Sequence, residues 1–92
     1  MTHIRNGTGY LDARQMRIWK AVRRLNELGR TTNSSQVAAL ARLSRTTVTF
    51  TCGHLAARGF LRNDNPDGKV YHWRVTGTIP VQDPETIPEE TG

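Results

Sequence analysis

The sequence predicts an α+β fold in which three helices are followed by a two-stranded C-terminal hairpin. Apolar residues recur at helical spacing in three separate runs: Ile18, Val22, Leu25 and Leu28; then Val37, Leu40 and Ala41; then Val48, Cys52 and Leu55. A dense turn cluster, Asn63-Asp64-Asn65-Pro66-Asp67-Gly68, is followed by alternation from Lys69 to Thr76, the period of a half-buried strand. Side chains that cap helices stand just ahead of the helical runs, at Asp12, at Asn33 or Ser34, and at Ser44.

Met1 to Tyr10 has no clear period and is expected to be a flexible arm (residues 1–10). Asp12 followed by Gln15 approximates a capping box, and the first apolar stripe runs from there until Gly29 ends the helix. Arg14, Arg17, Lys20, Arg23 and Arg24 form a cationic row on its outward side, accompanied by Glu27 alone, so repulsion along the row goes largely uncompensated unless an anion binds. Trp19 lies beside the stripe, as a core residue or a partner contact. Arg30 to Asn33 is a polar connector, and Gln36 to Ala41 follows as a short helix of about two turns.

The third helix starts at Ser44, with Val48, Cys52 and Leu55 turned inward. Arg45, Thr46, Thr49, Phe50 and Gly53 then face outward, a surface that is short, hydroxylated or basic apart from the phenyl ring. Phe60-Leu61-Arg62 and the alternating Lys69 to Thr76 form the hairpin, with Tyr71, Trp73 and Val75 on its inward face and His72 and Arg74 on the other. Residues 77–92 change character, with three prolines, four acids and Thr-Ile-Pro at 78–80 and again at 86–88, and are expected to be a disordered acidic tail.

The stretch from Val37-Ala38 through Leu43-Ser44-Arg45-Thr46-Thr47-Val48 and Leu55 to Arg58-Gly59-Phe60-Leu61 resembles the winged helix-turn-helix domain of MarR- and ArsR-like bacterial or phage regulators. The resemblance spans roughly residues 12–76 and agrees with a domain over 11–76. It implies that the serine caps a recognition helix whose polar positions meet DNA, that Thr31-Thr32 forms a very short strand beside the hairpin, and that the hairpin is a wing. Ser44, Arg45, Thr46, Thr49 and Phe50 would inherit the DNA-facing roles. The chain departs from the pattern at Arg42, where the turn often carries glycine, and at Phe50, where a basic or polar contact is common. An aromatic ring there suits a thymine methyl or a protein partner.

Length and charge narrow the function. A chain of 92 residues forms at most one small domain, which buries only about 60% of its unfolded surface. The residues up to Thr76 hold all thirteen basic groups and four acids, a formal +9, whereas those from Gly77 on hold four acids and no base, a formal −4. So positive a body attracts polyanions, of which nucleic acid is the commonest in the cytoplasm, the expected compartment. No apolar run approaches a membrane span, and neither a membrane-spanning segment nor a secretory signal is expected. Cys52 is the sole cysteine, and His3, His54 and His72 fall on different elements, so neither a cofactor nor an enzymatic role is expected.

These residues therefore point to a double-stranded DNA-binding transcriptional regulator. Arg45 is the candidate for guanine, with Thr46 and Thr49 for base edges or phosphates. Arg14, Arg17 and Arg42 are candidates for the backbone beside the helix, and Arg62, Lys69 and Arg74 for the backbone from the wing, with Asp64 and Asp67 opposing at its tip. The alternatives are a protein-binding module that uses Phe50, Trp19 or the tail, and a replication or recombination accessory domain with little base preference. A homodimer would have to pair through the first helix, the arm or the hairpin.

Overall fold

A computed structural model describes residues 10–82. It is α+β, with three helices and a two-stranded antiparallel sheet, and a further short parallel strand pair. In chain order the elements are β1 (Tyr10–Leu11), α1 (Ala13–Glu27), α2 (Ser34–Ala41), α3 (Arg45–Ala57), β2 (Leu61–Asn63), β3 (Trp73–Val75) and β4 (Val81–Gln82).

The helix starts follow the capping side chains. Asp12 accepts from the Gln15 backbone N–H at 2.8 Å while Gln15 Oε1 accepts from the Asp12 N–H at 3.1 Å, completing the capping box of α1. Asn33, not Ser34, caps α2 by accepting from the Gln36 N–H at 2.9 Å. All three helices end in one motif, in which a residue of left-handed conformation lets the next N–H reach the carbonyl five residues back. Gly29 (φ 70°) serves α1, with Arg30 N–H on the Leu25 carbonyl; Gly59 (φ 87°) serves α3, with Phe60 N–H on the Leu55 carbonyl. In α2 the role falls to Arg42 (φ 60°), with Leu43 N–H on the Ala38 carbonyl at 3.1 Å.

The three helices pack on one another, and the hairpin closes over α1 and α3. Leu11, Ile18, Val22, Val37, Val48, Cys52 and Leu55 are wholly buried, joined by Trp19, Phe60, Leu61 and Trp73. Burying side chains of this size contributes about 1.5–3 kcal/mol each. Trp19 is only 2% exposed, so it is core and offers no face to a partner; Arg23 lies over its ring at 4.9 Å. Its Nε1 finds no acceptor among the described residues.

Two leucines of the expected stripes are outside the core. Leu28 is the C-cap of α1, one residue beyond the last turn, and is exposed. In α2 the buried set is Val37, Ala38 and Ala41, which turns Leu40 to the surface.

The hairpin is also shorter than its alternation suggests. β2 and β3 pair Leu61 with Val75, Arg62 with Arg74 and Asn63 with Trp73. Beyond them Asp64 N–H still reaches the His72 carbonyl, but the Asn63 Oδ1 accepts from the N–H groups of both Asn65 and His72, a side-chain clasp in place of the return bond from His72. Residues 69–72 thus belong to the loop, and Tyr71 is exposed, its ring edge-on to Trp73 at 5.3 Å. The short strand expected at Thr31-Thr32 amounts to one ladder-like bond, from Trp73 N–H to the Thr32 carbonyl at 2.8 Å.

Tyr10 and residues 77–82 belong to the folded unit. β4 lies parallel to β1, with Tyr10 opposite Val81 and Leu11 opposite Gln82, and Pro80 is buried. The Arg58 guanidinium donates to the Tyr10 carbonyl at 2.9 Å, tying this pair to the end of α3. The remainder of the expected arm and tail, 1–9 and 83–92, lies outside the described residues.

Candidate nucleic-acid interface

α3 has two chemically different sides. Inside, Val48, Cys52 and Leu55 are wholly buried, and burial pushes the Cys52 thiol up to about 12. Outside, Arg45, Thr46, Thr49, Phe50 and Gly53 are all exposed. Ser44 fixes the start of the helix: its Oγ accepts from the Thr47 N–H at 3.1 Å and donates to Thr47 Oγ1 at 2.8 Å. Phe50 is 69% exposed, and its ring stands edge-on to His54 at 4.6 Å, which braces it in the middle of the open face.

A groove borders this face on each side. One, of about 520 Å³, is lined by Arg45 and Thr49 from α3, by Asn33, Ser34 and Ser35 at the start of α2, and by Lys69, Val70 and Tyr71 of the hairpin loop. Trp73 Nε1 donates to Ser34 Oγ at 3.2 Å and holds the hairpin against α2 at this point. The first turn of α2 contributes the positive end of a helix, where anions are favoured. The other groove, of about 440 Å³, brings Arg14 and Gln15 of α1 beside Thr46, Phe50 and His54, with the capping Asp12 at its edge.

The expected site residues thus divide into groups. Arg45, Thr49 and Lys69 share one groove, and Arg14, Thr46 and Phe50 share the other. Arg42 is exposed in the turn between α2 and α3, and Arg17 is half-buried on α1. Arg74 lines a third hollow with Asn26, Arg30, Thr31 and His72, apart from the grooves that flank α3. Arg62 and Arg74 are both paired with Asp64, at 3.2 and 2.6 Å.

Sequence reasoning passed over Ser34, Ser35, Tyr71 and His54. The two serines had a signal, since a helix start after Asn33 puts them in its first turn. Tyr71 had none, because its alternation with Trp73 assigns it to the inward face.

Among the described residues no three or more His, Cys, Asp or Glu side chains gather as a metal site, and no helix is long and apolar enough to cross a membrane. No protein-family model, curated protein or solved structure matches the chain.

Proposed function

We propose that this protein is a winged helix-turn-helix domain that binds double-stranded DNA as a transcriptional regulator, with α3 as the helix that enters the major groove. One observation carries the reading: the Arg45, Thr46, Thr49 and Phe50 face is left uncovered by the rest of the described chain and is bordered by a cation on each side, Arg14 and Lys69. The major groove is about 12 Å wide and admits one helix, while basic groups at its rims meet phosphates.

The roles follow from chemistry. Arg45, in the first turn of α3, offers a guanidinium fork for guanine O6 and N7. Thr46 and Thr49 offer hydroxyls to base edges or phosphates, and Phe50 a surface for a thymine methyl. Arg14, Arg17, Arg42 and Lys69 supply phosphate contacts around the helix. The turn at Arg42 between α2 and α3, followed by the β2–β3 hairpin, supports the winged-helix assignment.

The exposure of Phe50 favours a second reading, in which the same face binds protein. Gel retardation on random duplex DNA in a salt series separates the two. Retardation at low salt that weakens as salt rises supports DNA, and no retardation at any salt overturns it. Selection of bound duplexes from a random pool then tests base reading: a consensus supports the regulator, and an unbiased pool leaves a domain that grips DNA without reading it.

A further inference from the structure

The hairpin faces a problem of its own making. Arg62 and Arg74 are register partners on β2 and β3, and like charges directly opposite one another on a sheet repel. The Asp64 carboxylate relieves this, with Oδ1 3.2 Å from Arg62 Nε and Oδ2 2.6 Å from Arg74 Nε. Each oxygen serves one guanidinium, the arrangement in which two oxygens of a phosphate would receive the same groups. The carboxylate is also held in place from its own backbone: Asp64 N–H donates to the His72 carbonyl at 2.8 Å, beside the clasp formed by Asn63.

We propose that Asp64 is a specificity-determining residue, an internal stand-in for phosphate that keeps Arg62 and Arg74 off the nucleic-acid backbone. The inference rests on the DNA reading above and assigns the wing a restrained part in it. With Asp64 in place the cluster presents one net positive charge instead of two, and the hairpin meets DNA mainly through Lys69. Phosphate contacts strengthen binding to every sequence alike, so withholding two of them lowers non-specific affinity and leaves discrimination to α3.

Asp64→Asn tests this, since the amide keeps the size of the side chain and the backbone bond to His72. On random duplex the variant should bind more tightly at low salt, with a log–log salt slope steeper by up to about 1.8. That corresponds to roughly tenfold more affinity lost between 50 and 200 mM salt. It should also elute later than the parent from heparin, a polyanion without bases. Adding Arg62→Ala and Arg74→Ala to the Asn variant should cancel both gains, with thermal melts checking that each protein is folded. An unchanged slope and unchanged heparin elution in a parent that binds duplex overturn the masking role, as does a triple variant that keeps the gain. Later heparin elution with no duplex binding by either protein supports the masking and overturns the DNA reading instead.

Discussion

The backbone N–H of Val75 donates to Oδ1 of Asn26 at 2.9 Å, and the same side chain donates from Nδ2 to the Trp73 carbonyl at 3.2 Å. One amide at the end of α1 thus meets the two backbone groups that a neighbouring strand would meet, and it closes the free edge of β3. Asn26 Nδ2 also reaches Thr32 Oγ1 at 3.0 Å, which fastens the connector before α2 to the same point. Asn26→Ala leaves partly buried polar groups on β3 without partners, each costing about 1–3 kcal/mol. Urea denaturation should show a loss of at least about 2 kcal/mol; a loss below a few tenths would mean that the amide is dispensable.

Arg42 holds a left-handed conformation that α1 and α3 assign to glycine. A side chain there costs about 1 kcal/mol relative to glycine. Arg42→Gly should therefore raise the urea midpoint, whereas Arg42→Ala should not. If the exposed guanidinium also contacts phosphate, the glycine variant will be the more stable protein and the weaker DNA binder, a separation that melting and gel retardation read on one sample.

Burial raises the Cys52 thiol from its ordinary 9.0 to about 12, so the folded chain keeps its proton where the unfolded chain loses it. The sign follows: this contribution to stability is complete below about pH 9 and falls as pH rises toward 12, by about tenfold in the folding equilibrium per pH unit. Cys52→Ala starts from a lower stability because of the cavity it leaves, yet its stability should fall less steeply over the same range. A thiol reagent should modify the native protein slowly and the urea-unfolded protein fast.

Arg45, on α3, and Arg14, on α1, line different grooves beside the open face and should fail in different ways. Arg45→Ala should cost about 1–3 kcal/mol on a selected site and relax preference at one base pair. Arg14→Ala should weaken selected and random duplexes alike and flatten the salt slope by about 1. Equal losses on both DNAs for Arg45→Ala would remove base reading from that residue.

The parts of the fold that sequence made legible are those whose cause is local. Ser44 and the Val48, Cys52, Leu55 stripe gave α3 its start and its orientation, and Asn63 to Gly68 marked the hairpin tip, because capping and turn chemistry act over a few residues. Leu28 and Leu40 were misjudged for the same reason: periodicity extends a stripe without knowing where the helix stops or which neighbours it meets. β4 is two residues in a proline-rich stretch, and its partner lies about seventy positions away, a pairing with no local signature. In the site, the outward face of α3 was readable from helical phase. The division of the wing's cations was not, since it depends on the twist of a short hairpin and on where Asp64 sits.

The parallel pairing of β1 with β4 has a practical outcome for rewiring the molecule. Adjacent strands lie about 4.8 Å apart and two residues advance about 7 Å, so a linker of a few residues from Gln82 back to Tyr10 would join the ends of the described unit into a ring. Opening that ring within Asn65 to Gly68 yields a circular permutant in which β2 and β3 become the terminal strands and α1, α2 and α3 remain one unbroken segment.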